Sequence, residues 1–228
     1  MTAIHRENTE QEQWATAENP GYRLFRDAMD RGDLQPGMNM TQSDLCRILG
    51  LSLTPLRETL VLLQAYGLVD IKPRTGIHIV YPDVAFIREN FQFRIMIEIN
   101  ALRIFAQTDL TDWLAMMFAA HELSTRELSD AGNIDAAIAR FIATDRRFHA
   151  DMVGVLGNHA ISGTHGRLQE NIGMARLTYK RTPFRQQLLD TVEEHRRVLN
   201  GLAAADTDRA VEALEAHFRA STHRTFAA

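Results

Sequence analysis

The sequence has 228 residues, of which 45% are hydrophobic, and its net charge is −4. This length allows one large or two modest domains, and the mild negative charge excludes a protein that coats nucleic acid over its whole surface, although it allows a local basic face. The single cysteine, Cys46, excludes an intrachain disulfide framework and is typical of a reducing cytosol. We find neither a signal-peptide-like segment nor an apolar stretch that could span a bilayer, so we expect a cytoplasmic protein that does not enter the membrane.

Residues 1–20 are polar and predict a flexible arm. The following segment, 21–81, contains three predicted helices and a hairpin. Thr41 and Asp44 match a capping box, which predicts the start of the second helix, and Gly50 predicts its end. The sequence LVDIKPRTGIHIV then favours two short strands around a tight turn. Helices and hairpin in this order indicate a winged helix-turn-helix.

The segment 83–228 has almost no strand signal and predicts about six helices joined by short loops. The expected bounds are 84–107, 110–130, 134–154, 158–179, 183–203 and 207–225. Long helices with short connections pack as an antiparallel bundle. The predicted fold class is therefore mainly α, with a winged helix-turn-helix followed by an all-helical bundle.

Two pairs of polar residues lie one helical turn apart in apolar helices. The sequence TDRRFHADM places Asp145 four residues before His149, and Arg94 precedes Glu98 by the same spacing. If these faces are buried, the side chains must satisfy one another or jointly hold a ligand, because an unpartnered buried charge is costly. The alternative is that both are ordinary exposed pairs, which contribute little to stability.

The stretch LGLSLTPLRETLVLLQAYGLVDIKPRTGIHIV resembles the DNA-binding signature of GntR-family transcription regulators. The helical remainder resembles the ligand-sensing FCD domain of the FadR-type subfamily. That domain has R-x-x-x-E on its first helix, D-x-x-F-H in the middle and two late histidines. The matching residues in this chain are Arg94, Glu98, Asp145, Phe148, His149, His195 and His217. The resemblance covers nearly everything after residue 20.

The resemblance implies that the third helix is a recognition helix in the DNA major groove. A recognition helix needs donors on its exposed first turn, and Arg57 can bind guanine with two hydrogen bonds. The other expected DNA contacts are Thr41, Gln42, Ser43, Ser52, Thr54, Lys72, Arg74 and Gly76, the last allowing the wing to turn tightly. The alternative is that Arg57 is merely solvated and Gly76 merely a turn residue. Leu53 replaces the usual arginine, so we expect altered sequence preference or weaker affinity.

The FCD resemblance implies a metal site formed by Asp145, His149, His195 and His217. Three imidazoles and one carboxylate suit a divalent first-row ion, with zinc preferred and nickel or manganese as alternatives. A small organic acid would then be the effector. The expected effector contacts are Arg94, Glu98, Asn171 and Arg176, with Glu98 also able to orient a ligand histidine. His121, His159 and His165 are interpreted as surface residues or as residues behind the ligands.

The sequence therefore predicts a homodimeric, ligand-responsive regulator of operator DNA, expected to be a repressor and not an enzyme. Two alternatives stay open. The His3Asp site could serve a metal-dependent hydrolase or isomerase, with Glu98 as general base. The metal could instead be purely structural and staple the helices together. The residues identify neither the effector nor the operator.

Overall fold

The structure is a computed structural model that describes residues 19–72, 76–130, 132–178 and 185–226. The described part is mainly α, as predicted. Its elements are α1 (Pro20–Arg31), β1 (Asn39–Met40), α2 (Gln42–Leu49), α3 (Leu53–Ala65), β2 (Val69–Lys72), β3 (Gly76–Ile79), α4 (Val84–Phe105), α5 (Thr111–Ser129), α6 (Ile134–Gly154), α7 (His159–Thr178), α8 (Arg185–Ala203) and α9 (Thr207–Phe226). The predicted arm lies outside the described residues except for its last two positions, which cap and begin α1.

The chain divides into two compact units. The first unit is residues 1–87 with 166–181, and the second unit is residues 88–165 with 182–228. The predicted domains, 21–81 and 83–228, differ from these units because the second half of α7 groups with the winged part. The physical reason is burial, since Met174 on α7 joins the apolar core of the first unit.

The first unit contains a three-stranded antiparallel sheet in the order β1-β3-β2. In its hairpin, Val69 pairs with Ile79 and Lys72 pairs with Gly76, as the predicted wing requires. Strand β1 was not predicted, because two residues carry no readable alternation. The unit has a core of fully buried side chains from its helices and strands, including Phe25, Leu45, Leu56, Leu63 and Ile79.

Local signals set the bounds of the helices before the wing. The Asp44 backbone N–H donates to Thr41 Oγ1 at 3.1 Å, and the Thr41 N–H donates to Asp44 Oδ2 at 3.2 Å, which confirms the capping box. Gly50 ends α2 with a φ of 65°, a left-handed conformation that favours glycine. Only Gly50, Leu51 and Ser52 separate α2 from α3, so the two helices form the tight helix-turn-helix that was predicted.

The second unit is built from α4, α5, α6, α8, α9 and the first part of α7. All six helices were predicted, and α6 has the predicted bounds, 134–154. The Phe86 N–H donates to Asp83 Oδ1 at 2.7 Å and so caps the start of α4. Helix α5 packs against α6 and α8, and α9 packs against α8. None of the described helices has the length and apolar character needed to cross a membrane.

Candidate metal centre and nucleic-acid interface

Three histidines from three helices meet inside the second unit. His149 lies on α6, His195 on α8 and His217 on α9, and each residue is 3% exposed or less. One nitrogen from each ring lies within 4.8 Å of the other two, which is close enough for the three to share one ion. The packing of α5 on α6 and α8, and of α9 on α8, brings these positions together.

Asp145 joins this group from the turn before His149. Its Oδ1 lies 3.9 Å from His149 Nε2 and 3.6 Å from His195 Nε2. These distances are too long for good hydrogen bonds, but ligands placed about 2.0–2.2 Å from a tetrahedral ion are separated by about 3.3–3.6 Å. The structure therefore brings the three predicted histidines together and places the fourth predicted ligand, Asp145, beside two of them.

Carboxylates hold the outward-facing nitrogen of two of the rings. His149 Nδ1 lies 2.5 Å from Glu98 Oε2, and His217 Nδ1 lies 2.9 Å from Glu194 Oε2. Since an ionised carboxylate only accepts, each Nδ1 carries a hydrogen, and in a neutral ring Nε2 then keeps a lone pair. A carboxylate behind a histidine is the usual arrangement at protein metal sites.

His195 presents its free nitrogen to the same centre. Its Nε2 is buried and has no hydrogen-bond partner among the described residues. An orphaned buried nitrogen of this kind is costly unless a ligand satisfies it. A metal ion at the centre would satisfy it, so the donor set fits the predicted group.

Burial favours the neutral form of two of the three rings, His149 and His195. It lowers the pKa of His149 to about 4. Burial, followed by the nearby rings of His217 and His149, lowers the pKa of His195 well below its ordinary value. Neutral imidazole is the form that binds a metal, so His149 and His195 are ready for coordination near pH 7.

Glu98 is fully buried on α4 and has three partners. Arg94 Nε donates to Glu98 Oε1 at 2.6 Å, and His165 Nε2 lies 2.8 Å from the same oxygen. His149 contacts the other oxygen. Burial opposes ionisation of Glu98, but the Arg94 guanidinium and the two rings hold its pKa well below the ordinary value. Glu98 is therefore an anion in contact with His149, and its predicted role in orienting a metal ligand stays a prediction.

Glu194 has the matching role behind His217. Arg224 donates two hydrogen bonds to its carboxylate, each of 2.7 Å. Burial opposes ionisation of Glu194, but the hydrogen bonds from Arg224 and His217 lower its pKa to about 2. Each carboxylate behind a ligand ring is thus neutralised by its own arginine.

Arg94 also has a free donor. The residue is 5% exposed, and its Nη2 has no hydrogen-bond partner among the described residues. Its guanidinium carbon lies 5.3 Å from the centre of the Phe218 ring, which supports the planar group. A buried guanidinium with an unused N–H suits the carboxylate of a small acid.

The other two predicted effector contacts lie on α7, in the part that belongs to the first unit. Asn171 belongs to the first unit, where its Oδ1 lies 3.9 Å from the position that a Cβ on Gly67 would take. Arg176 lies on α7, but its side chain falls outside the described part of the chain. Both assignments therefore stay predictions.

Sequence reasoning gave no definite role to four residues beside the ligands: His121, His165, Glu194 and Arg224. His121 has a fully buried side chain, and it follows Met117 and precedes Ser124 on the buried face of α5. That helical spacing was a readable signal for burial. The ion pair of Glu194 and Arg224 joins α8 to α9. Its two residues lie thirty positions apart in the sequence, so no local pattern indicated the pair.

The described residues among the predicted DNA contacts lie at the starts of α2 and α3 and in the wing. Ser52, Thr54 and Arg57 are exposed at the start of α3, as a recognition helix requires, and Leu53 beside them is 44% exposed. Thr41 and Ser43 are exposed and Gln42 is half-buried at the start of α2, and Lys72 is exposed at the end of β2. Arg74 lies outside the described residues.

Gly76 has a φ of 94°, which favours glycine. A Cβ at this position would lie 2.4 Å from the Met40 carbonyl oxygen. The sequence predicted a tight wing tip here, and the structure adds a second requirement, the close approach of β1 to β3.

Comparisons with known proteins agree with this arrangement. Residues 22–79 match the family described as bacterial regulatory proteins, gntR family, and residues 89–220 match the FCD domain. The chain is 26% identical over 200 residues to the HTH-type transcriptional repressor GlaR of Escherichia coli (strain K12), covering 86% of this chain and 90% of that protein.

Two solved structures share the fold. Escherichia coli McbR/YncC has a TM-score of 0.71 at 18% identity, covering 96% of this chain and 97% of that one. A putative transcriptional regulator GntR from Rhodococcus sp. RHA1 has a TM-score of 0.61 at 18% identity, covering 94% and 98%. At this identity the likeness concerns the fold alone.

Proposed function

We propose that this chain, a transcription regulator that belongs to the GntR family and carries an FCD domain, responds to a divalent metal ion and a small organic acid held in its second unit. The observation that carries this proposal is the convergence of His149, His195 and His217, with Asp145 beside them. Zinc is the preferred ion, with nickel or manganese as alternatives, because three neutral imidazoles and one carboxylate suit these metals.

The charges around the site favour an anionic effector. Asp145 offsets one of the two positive charges that the ion would bring. Glu98 is matched by Arg94, and Glu194 by Arg224, so neither carboxylate reduces the remaining charge. A bound ion would supply an open coordination position for a carboxylate oxygen, and Arg94 Nη2 supplies a hydrogen-bond donor. We infer that the effector is a small carboxylate.

The DNA-binding end supports the regulatory half of the proposal. The exposed start of α3 carries Arg57, Thr54 and Ser52, which can contact bases and phosphates. We infer a homodimer, because it would match the two-fold symmetry of an operator with two half-sites. The name of the GlaR relative favours a repressor. Effector binding would shift the equilibrium between states of different operator affinity.

The enzyme alternative required Glu98 to act as a free general base. Both of its oxygens are already engaged, one by Arg94 and His165 and the other by His149. A carboxylate held in this way is suited to positioning a ligand ring rather than to accepting a substrate proton. The contacts of Glu98 therefore favour regulation over catalysis.

The test begins with sheared genomic DNA, from which the purified zinc-loaded protein should retain a few near-palindromic fragments. Affinity for one such fragment is then measured by fluorescence anisotropy for metal-free protein, zinc-loaded protein, and zinc-loaded protein with citrate or tartrate. We expect at least one carboxylate to change the affinity by about 5-fold or more. Arg94→Lys should abolish this change, whereas Arg88→Lys, an exposed substitution on the same helix, should not.

The outcomes separate the components of the proposal. Retention of no fragment above random DNA would contradict specific operator binding. Failure of the protein to bind zinc, nickel or manganese would contradict the metal site. If chelation unfolds the second unit while every carboxylate leaves DNA affinity unchanged, the metal is structural and effector sensing is wrong.

A further inference from the structure

A fourth buried histidine stands directly behind a ligand position. His121 lies on α5 and is fully buried. Its Nε2 is 3.1 Å from His195 Nδ1, and its Nδ1 is 2.7 Å from the carbonyl oxygen of Met117, one turn earlier on the same helix. The two rings and the carbonyl thus form a hydrogen-bonded chain that ends at the candidate metal centre.

Only one placement of hydrogens along these hydrogen bonds is compatible with a metal at the centre. The Met117 carbonyl can only accept, so His121 Nδ1 must carry the hydrogen and donate it. In neutral His121 the other nitrogen, Nε2, is then a lone-pair acceptor. It can accept only if His195 Nδ1 carries a hydrogen, which leaves His195 Nε2 with a lone pair directed at the centre. A doubly protonated His121 would reverse the last bond and place a hydrogen on His195 Nε2.

We propose that His121 is a positioning residue that fixes the tautomer of His195 and so prepares it as a metal ligand. The proposal rests on the proposed function, because it concerns the same site. The Phe148 ring stacks on His195 with centroids 4.1 Å apart and an interplanar angle of 14°, which fixes the plane of the imidazole. His121 then fixes which nitrogen is free within that plane.

His121 also sets the charge of the site. The other two ligand rings are backed by the carboxylates Glu98 and Glu194, each with an arginine beside it. A third carboxylate behind His195 would have to be neutralised by a further cation. A neutral imidazole orients His195 without adding charge, so the site keeps the positive charge that favours an anion. The hydrogen bonds that begin at His195 end at the backbone carbonyl of Met117, which is also uncharged. The whole arrangement behind His195 therefore adds no net charge to the site.

The first test reads the tautomer of His195 in metal-free, full-length protein. Long-range 1H–15N NMR distinguishes a ring with hydrogen on Nδ1 from one with hydrogen on Nε2. We expect His195 to carry the Nδ1 hydrogen, although free histidine prefers the other form. In His121→Phe, which cannot accept a hydrogen bond, we expect this preference to be lost. In His121→Gln, the amide oxygen can replace Nε2 as acceptor, and we expect the Nδ1 form to persist.

The second test measures zinc affinity by competition with a chelator. Loss of an outer-shell partner at a metal site costs about 10–100-fold in affinity, and we expect a loss of this size for His121→Phe. His121→Gln should stay within about threefold of wild type because it keeps the acceptor. The matched control is His159→Phe, the same substitution at an exposed position on α7. Circular dichroism confirms that each variant is folded.

The outcomes decide the proposal separately from the proposed function. His195 with its hydrogen on Nε2 in wild type would overturn it. Equal losses of zinc affinity in the Gln and Phe variants would also overturn it, because packing rather than hydrogen bonding would then be the role of His121. If wild type binds none of zinc, nickel and manganese, the metal site of the proposed function fails, but the NMR result still decides whether His121 controls the tautomer.

Discussion

The Glu194 carboxylate contributes to stability in a way that depends on pH. Its pKa is lowered from an ordinary value of 4.5 to about 2, so the contribution is complete above the unfolded-state value and is lost as the pH falls through the folded-state value. We expect Glu194→Gln to lower the free energy of unfolding of metal-free protein by about 1–2 kcal/mol at pH 7, after allowance for its partial exposure. The difference from wild type should shrink between pH 4.5 and pH 2.

Urea unfolding followed by circular dichroism measures this difference at each pH. Glu193→Gln is the matched control, because Glu193 is the adjacent, exposed residue on α8 and its pair with Arg197, at 3.8 Å, is a surface pair. The control should change stability little at any pH. A Glu194→Gln difference that stayed constant from pH 7 to pH 2 would show that the substitution acts through packing and not through charge.

Leu53 is a second residue at which a substitution tests a specific contact, in this case with DNA. It is exposed between Ser52 and Thr54 on the first turn of α3, at the position where the family usually has arginine. We expect Leu53→Arg to strengthen DNA binding by about 1–3 kcal/mol and to increase the salt dependence by about one phosphate contact. Val61→Arg adds the same charge to a 70% exposed site two turns later, and should have a smaller effect. Equal gains for the two variants would indicate general attraction to DNA rather than a contact at Leu53.

At the scale of elements, α8 and α9 carry two of the predicted metal ligands and touch through a glycine. A Cβ added to Gly201 would lie 2.7 Å from the Ala210 backbone nitrogen, and a backbone atom cannot move aside as a side chain could. We expect Gly201→Ala to lower the free energy of unfolding of the second unit by about 1–3 kcal/mol, since overpacking forces the helices apart. Chemical unfolding of metal-free protein measures this loss.

Gly154→Ala is the matched control for this prediction. Gly154 is also a helical residue, at the end of α6, but a Cβ there would meet nothing within 4 Å. Alanine is the better helix former, so the control should be neutral or slightly stabilising. A Gly201→Ala variant as stable as wild type would mean that α8 and α9 can separate without cost.

The element scale also shows what the sequence could predict. Thr41 and Asn133 mark helix starts through side-chain caps that act over three residues, so the helix bounds near them were readable. Strand β1 was missed because its two residues are defined by pairing with a strand nearly forty residues away. Its existence depends on tertiary contacts, which leave no periodic pattern in the sequence.

The residues of the candidate site likewise fall into those that the sequence could indicate and those that it could not. The one-turn spacing of Asp145 and His149 was visible as a local pattern, and the family resemblance supplied His195 and His217. The role of His121 was not readable, because it depends on a contact with a residue 74 positions away. Hydrogen-bond chains between helices are set by packing, and single-sequence periodicity reports only which face is buried.

At the scale of the whole molecule, helix α4 has an apolar face exposed to solvent. The apolar side chains on this face are Phe93, Met96, Ile97 and Ile104, with Met96 72% exposed. They recur three, four and eleven residues apart, so they form one stripe along the helix. Exposed stripes of this kind mark protein–protein contacts more often than scattered single residues do. We expect the stripe to form the contact of the proposed homodimer.

Met96→Glu tests this expectation, because a charge in the middle of the stripe would be desolvated on association. Sedimentation velocity should show a shift from dimer toward monomer, and affinity for a two-half-site operator should fall while binding to nonspecific DNA at low salt persists. The matched control is Val84→Glu, because Val84 is 61% exposed on the opposite face of α4 and should leave the dimer intact. If Met96→Glu and wild type sediment alike as dimers, the dimer contact lies on another surface. If wild type is a monomer at micromolar concentration, two copies must instead come together only when they bind the operator.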